Sequence, residues 1–343
     1  MTMRALILRE PGAAEIGHTQ EPGRLNEGDV LLRIRMVGLC GSDLNSFRGK
    51  NPMVSYPRIP GHEISAVVEA KGPGVPDSIA LGTPVTLSPY TACGRCASCK
   101  RQRFNACQFN QTLGVQRDGA LTELLAVPWQ KLLSAEQLTA RQLCMVEPLT
   151  VGYHAAVRGR TAPEDIVAVM GCGMVGLGAI AAAAHRGARV IAIDVDDKKL
   201  DLARRMGATE TINSRAANLH DALSSHTEGL GPDVVIEAIG LPETFRAAVE
   251  EVAFTGRVVY IGYAKEAVAY DTRLFVQKEL DILGSRNALP EDFAGVIDML
   301  ARNKDLPLEE TVSRVVPLND APQAFADWSA DPLAVSKILV ELN

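Results

Sequence analysis

The sequence has no basic excess. Its 35 lysines and arginines stand against 41 aspartates and glutamates, a formal net charge of −6, so neither a nucleic-acid groove nor an anionic membrane surface is expected as a partner. It has no internal repeat and no low-complexity tract, which excludes fibrous and solenoid chains. One stretch, Ile166 to Ala184, runs 19 residues without a charge, close to the length of a membrane span. Gly171, Gly173, Gly176 and Gly178 divide it into a β-rich half and an alanine-rich half, so it is expected to be a strand followed by a helix. The opening segment Met1 to Glu10 is too short in its apolar part, and too interrupted by charge, for a signal peptide. It reads as a first strand, and a cytoplasmic protein is expected.

What remains is an ordinary globular composition, 47% hydrophobic and 22% charged over 343 residues, enough for two domains. The seven cysteines are an odd number, and four of them crowd together at positions 93, 96, 99 and 107, with Cys40, Cys144 and Cys172 scattered. Clustered thiols of this kind more often hold a metal in a reduced compartment than form a disulfide framework.

Two patterns follow one another along the chain. Up to about residue 130, short strand-like runs are separated by glycine and proline: Val30 to Arg35, Glu63 to Glu69, Pro84 to Leu87 and Leu121 to Val127. They predict a β-rich, barrel-like domain. From about Pro148 the pattern becomes apolar strands (Ile166 to Met170, Val190 to Ile193, Val234 to Ala238, Val258 to Gly262, Ile282 to Gly284) alternating with helices such as Lys198 to Met206 and Glu243 to Val252. That alternation predicts an α/β, doubly wound parallel sheet. A helix over Glu291 to Asn303 is then expected, followed by extended sequence ending in Ser336 to Val340.

The strand Ile166 to Met170 runs into Gly171-Cys172-Gly173-Met174-Val175-Gly176 and a helix, and the next strand ends in Asp194. Glycines there permit a tight turn and close approach of a pyrophosphate to free N–H groups at the helix start, while the acid accepts hydrogen bonds from a ribose diol. This is a dinucleotide site. Asp196 and Asp197 beside Asp194 would repel a 2′-phosphate, so NAD rather than NADP is expected. Lys199 either reaches the ribose or sits in water, and Cys172 is an apolar filler. The ends of two later strands, at Ile239-Gly240 and Ile261-Gly262, fall where such folds line the nicotinamide pocket.

Cys93, Cys96, Cys99 and Cys107 supply four thiolates on one loop, which suits a closed tetrahedral Zn2+ of structural type. Cys40, His62 and Glu147 each lie in an unremarkable setting when taken alone. Together with Cys40-Gly41-Ser42-Asp43, Gly61-His62-Glu63, the cysteine quartet, Glu147-Pro148-Leu149 and the nucleotide fingerprint, they give a chain that resembles the zinc-dependent medium-chain alcohol dehydrogenases over essentially its whole length. The likeness is to the polyol branch, which includes sorbitol, threonine and sugar-acid dehydrogenases.

The resemblance implies a GroES-like catalytic domain of residues 1–148 with 288–343, and a Rossmann domain of residues 149–287. It implies two Zn2+ per chain, one structural and one catalytic. Cys40, His62 and Glu147 match the catalytic ligands, with Glu63 as an exchangeable or indirect ligand and Asp43 oriented toward His62. Ser42 matches the hydroxyl that carries a proton away, and Arg286 matches a contact to cofactor or substrate. Asn45 stands where many relatives place a proton-passing histidine, which leaves the proton exit open. The implied activity is hydride transfer from a secondary hydroxyl of a polyol, sugar or sugar acid to NAD by a homodimer or homotetramer. Oxidation of threonine or of a simple alcohol is the enzymatic alternative. A zinc-ribbon binding protein with an NAD redox-sensing domain is the non-enzymatic one.

Overall fold

The structure, a computed structural model, describes residues 1–332 and 335–342. The chain divides into two compact units, Met1–Glu147 with Leu308–Asn343, and Pro148–Pro307.

The first unit opens with β1 (Thr2–Glu10) paired antiparallel to β2 (Ala13–Gln20). Then come β3 (Asp29–Leu39), α1 (Gly41–Phe47), β4 (Glu63–Lys71), β5 (Pro84–Leu87), α2 (Ala97–Lys100), β6 (Leu124–Pro128), β7 (Leu132–Ser134) and α3 (Ala140–Arg158), which carries Pro148 at the unit boundary. In β3 the side chains of Val30, Leu32, Ile34 and Met36 are buried while those between them are not, the two-residue period of a strand with one face on the core. From Val37 to Leu39 every residue is buried, and here the strand enters the candidate site. β3 pairs antiparallel with β4, Gly38 lying opposite Glu63. Leu6, Leu8, Leu32, Ile34, Ile64 and Phe325 are fully buried in this core, each contributing about 1.5–3 kcal/mol.

The second unit continues with β8 (Ile166–Met170), α4 (Met174–His185), β9 (Arg189–Asp194), α5 (Asp197–Arg205), β10 (Glu210–Asn213), α6 (Leu219–His226), β11 (Val234–Glu237), α7 (Pro242–Glu251), β12 (Arg257–Tyr260), α8 (Arg273–Gln277), β13 (Asp281–Gly284) and α9 (Pro290–Arg302). Its six strands are all parallel, in the order β10-β9-β8-β11-β12-β13. This is the doubly wound arrangement, with its switch point between β8 and β11. The uncharged stretch from Ile166 is thus β8, a loop and α4, and among the described residues no helix is long and apolar enough to cross a membrane. The chain then returns to the first unit with β14 (Arg314–Pro317), α10 (Ala321–Ala330) and β15 (Ile338–Glu341), the last antiparallel to β3.

Two segments differ from the sequence expectation. Residues 288–307 lie with the second unit. There α9 buries Phe293, Val296, Met299 and Leu300, and its Asp292 is 2.7 Å from His154 of α3. The segment expected to be extended contains α10, whose Ala321, Ala324, Phe325 and Trp328 are buried at helical spacing. Phe325 stacks on Phe47 at 5.5 Å.

Candidate active site

Cys40 is the N-cap of α1, directly after β3, and His62 directly precedes β4. Because Gly38 and Glu63 are register partners, the strand ends bring Cys40, His62 and Glu63 together, one ligand atom from each lying within 4.8 Å of the others. Gly38 makes this possible, since a Cβ there would lie 2.1 Å from Glu63 Oε2. Asp43 Oδ2 accepts the Cys40 N–H at 2.9 Å, which closes the first turn of α1. Its Oδ1 faces His62 Nδ1 at 3.7 Å, and neither atom has a hydrogen-bond partner among the described residues. With Asp43 on the Nδ1 side, Nε2 is the nitrogen left for a metal.

Glu147, on α3, lies outside this compact trio. Its Oε1 accepts a short hydrogen bond from the Tyr90 hydroxyl. Glu63 is held on its other side by Lys337, whose Nζ lies 2.7 and 2.6 Å from the two carboxylate oxygens and donates to Leu39 O at 3.2 Å. Lys337 and Glu63 are both almost wholly buried.

Electrostatically, the centre holds more acid than base. Burial raises the pKa of Asp43 and of Glu147, partly opposed in each by His62. At His62 burial works against the charged form, but Asp43, then Cys40 and Glu147, more than reverse this and hold the imidazole well above its usual range. A thiol, an imidazole and carboxylates around an acidic, buried point form a donor set suited to Zn2+, whose charge would offset the surplus. The residues present fit that ion.

The four sulfurs of Cys93, Cys96, Cys99 and Cys107 also lie within 4.8 Å of one another, with Cys93–Cys99 at 4.0 Å and Cys96–Cys107 at 3.9 Å. A tetrahedron with arms of about 2.3 Å has edges of about 3.8 Å, so the quartet fits tetrathiolate Zn2+. Backbone N–H groups of Cys93 and Cys96 point at sulfurs of the set. Hydrogen bonding, from Ser98 first, draws the Cys96 thiol down to about 5.

In the second unit the glycine loop is tight in the places the fingerprint requires. Gly171 has φ +97°, and a Cβ at Gly176 would lie 1.8 Å from Gly171 O. Gly173, the N-cap of α4, has open space where its Cβ would be, which is room for a phosphate to approach. Met174 and Val175 form the first turn of α4. Asp194 ends β9, and its carboxylate already accepts from three N–H groups: Cys172 at 2.8 Å, Val195 at 2.8 Å and Asp196 at 3.1 Å. The acid therefore ties the glycine loop to β9, a role that sequence spacing does not reveal. Asp196 caps α5 by accepting from Lys198 N–H, and Lys199 is half-buried on that helix.

At the ends of β11 and β12, Ile239 is exposed and Ile261 buried. Glu237 Oε1 accepts from the N–H groups of Ile239 and Gly240 and from the Thr244 hydroxyl, fixing the turn, while Gly262 leaves space for Glu237 Oε2. Arg286 is half-buried after β13. Ser42 and Asn45 are half-buried on α1. Cys144 is core, its thiol donating to Met36 O at 3.2 Å. Tyr90 and Lys337 are the functional neighbours that sequence reasoning did not place beside the carboxylates.

Residues 26–137 match the alcohol dehydrogenase GroES-like domain, and residues 174–302 match the zinc-binding dehydrogenase domain. L-galactonate-5-dehydrogenase of Escherichia coli K12 is 32% identical over 88% of both chains. Sorbitol dehydrogenase of Bacillus subtilis is 32% identical over 82% of this chain and 81% of its own. The chain belongs to the zinc-type medium-chain alcohol dehydrogenase family. Among solved structures it resembles the rspB alcohol dehydrogenase of Escherichia coli CFT073, complexed with NADH, with a TM-score of 0.90 and 27% identity over 99% of both chains. The zinc-ribbon binding protein is thereby set aside, and the chain is an oxidoreductase acting on CH–OH.

Proposed function

We propose that the protein oxidises a secondary hydroxyl of a polyol, sugar or sugar acid, with NAD as hydride acceptor. The observation that carries this is the compact Cys40, His62 and Glu63 set at the β3–β4 strand ends. These residues would hold a Zn2+ that, when bound, would supply Lewis acidity to a substrate hydroxyl, and the quartet at Cys93, Cys96, Cys99 and Cys107 would hold a second, structural Zn2+. Cys40 and His62 are the fixed ligands. Glu63 and Glu147 are the two carboxylates available to the ion, the first restrained by Lys337 and the second by Tyr90. Asp43 orients His62, and Ser42, half-buried on α1, accepts a hydrogen bond from the substrate hydroxyl and passes its own proton on to water as it takes the substrate's.

The nucleotide is held by the Gly171, Gly173 and Gly176 loop, with Met174 and Val175 at the helix start. Asp194 and Lys199 serve the ribose, and Ile239, Ile261, Gly262 and Arg286 serve the nicotinamide end. The three carboxylates at 194, 196 and 197 favour NAD. The free thiols suit a reducing, cytoplasmic setting. A homodimer or homotetramer is proposed because β13 is an edge strand whose Ile282 is 41% exposed, and Val276 of α8, the helix before it, is 82% exposed.

The test is zinc per chain in protein purified without chelator, together with NADH formation over polyols, sugar acids, threonine and simple alcohols. Two Zn2+ and turnover are expected, with Cys40→Ser losing one ion and turnover while the fold is kept. One Zn2+, on the cysteine quartet, and no turnover after added Zn2+ would refute the assignment.

A further inference from the structure

Among the described residues, a pair of cations in the first unit has no counter-ion. Arg117 Nη2 donates to Pro89 O at 3.3 Å, and Lys131 Nζ donates to Tyr90 O at 2.7 Å. Their charged heads are therefore held by two consecutive backbone carbonyls. Both side chains are half-buried, and Arg117 Nε is buried without a hydrogen-bond partner. Among the described residues neither cation forms a salt bridge. The adjacent acid, Asp118, is engaged by Arg58 at 2.9 Å, and Glu147 is engaged by the Tyr90 hydroxyl. Burial lowers the pKa of both cations, and Arg117 lowers that of Lys131 further, as expected of like charges partly withdrawn from water with nothing to neutralise them. In a chain of net charge −6, leaving two neighbouring cations unpaired calls for an anion from outside.

Tyr90 connects this pair to the metal-ligating residues. Its backbone carbonyl receives Lys131, and its hydroxyl donates to Glu147, so one cation and one candidate metal-ligating carboxylate lie at the backbone and the hydroxyl end of a single tyrosine. A short polyol chain with an anionic terminus would place its charge at one end and a secondary hydroxyl toward the other. We propose that Arg117 and Lys131 bind the anionic end of the substrate, a carboxylate or a phosphate, so that the enzyme selects sugar acids or sugar phosphates over neutral polyols. Arginine and lysine together suit either oxyanion. This rests on the dehydrogenase reading above.

The test uses the zinc-loaded enzyme with NAD and three sets of substrates: aldonates, polyol phosphates and the parent polyols. One anionic set is expected to exceed the neutral set in kcat/KM by about tenfold or more, the size of one charge-assisted hydrogen bond. Which set wins distinguishes carboxylate from phosphate. Arg117→Gln should raise KM for the anionic substrate by a similar factor with kcat little changed, and leave KM for the neutral polyol alone. Arg117→Lys should restore part of the loss. Independently of turnover, titration calorimetry with inorganic phosphate should show binding to the wild type that weakens in Arg117→Gln and in Lys131→Gln. Equal use of neutral and anionic substrates, or a loss in Arg117→Gln shared by both, would overturn the proposal, as would no phosphate binding to the wild type. If Arg117→Gln does not fold, the wild-type substrate ratio and phosphate titration still decide. Absence of NADH formation from every substrate would refute the dehydrogenase reading instead, and the calorimetry would still decide the anion site.

Discussion

Replacing Lys337 by methionine removes the cation that restrains Glu63 while keeping a side chain of similar length. In the native protein the ammonium lies 2.6 and 2.7 Å from the two carboxylate oxygens, and the side chains are 3% and 0% exposed. The variant leaves a carboxylate uncompensated in a dry site, at a cost of about 3–5 kcal/mol. For a unit of this size that lowers Tm by on the order of 10 °C. Burial works against the charged Lys337, but Glu63 more than compensates and raises its pKa above 10.5. The stabilisation is therefore fully present below the unfolded-state value and is lost only as pH rises through the raised one, so an assay near pH 7 reads all of it. The double variant Lys337→Met with Glu63→Gln removes both charges and should recover to within about 1–2 kcal/mol of wild type, a coupling of at least about 2 kcal/mol. Denaturant midpoints at constant slope, with zinc content as a control, measure both. If the double variant is no more stable than Lys337→Met alone, the uncompensated carboxylate is not the cause and the reasoning fails.

The glycine loop separates folding from binding. Gly173→Ala adds a Cβ that meets no protein atom, so Tm should hold while NADH affinity, read by fluorescence, falls about tenfold or more. Gly176→Ala should instead destabilise the unit, because its Cβ falls 1.8 Å from Gly171 O; a fully stable variant would contradict that geometry. Asp194→Asn is expected to cost about 1–3 kcal/mol by weakening the tie to Cys172, Val195 and Asp196 N–H, besides weakening NADH binding. Cys96→Ser should release one Zn2+ per chain and lower Tm while the Cys40 site stays loaded, as metal analysis would show. Glu123, held below the usual glutamate pKa of 4.5 because Arg4 outweighs its burial, contributes at most about 1 kcal/mol, being part-exposed. Its contribution is present above the unfolded pKa and lost as pH falls through the lowered one, so Glu123→Gln and wild type should converge in stability in acid.

Regular elements were legible in the sequence because their burial periods are simple. β5 and β8 fall where the apolar runs begin and end. The sequence reading of the C-terminal segment missed α10, although Ala321, Ala324, Phe325 and Trp328 carry a helical spacing, because Pro322 and the surrounding loops weaken that signal. The cysteine quartet is compact in sequence and equally compact in space. The other metal set was legible as candidates only. The sequence offered Glu147 as a ligand, but it cannot reveal that Tyr90, 57 positions away, holds that carboxylate. Nor can it reveal that Glu63 is restrained by a lysine 274 positions away. Both facts depend on which strand ends meet, and this is set by the pairing of whole sheets rather than by local pattern.

Gly38 and Glu63 face each other across the β3–β4 ladder, and that pairing works as a ruler. The positions of Cys40 and His62 follow from hydrogen-bond register, not from the conformation of the segment between them. That segment carries Asn45, Phe47 and Tyr56, and provided Asp43 stays to hold the Cys40 N–H and face His62, these positions can drift without moving the ligands. A lineage can thus rewrite the walls of its pocket while the ion's seat stays still. A one-residue slip in the ladder would turn every side chain over and dismantle the seat at once. Selection on substrate and selection on metal therefore act on separable parts of one short stretch of chain.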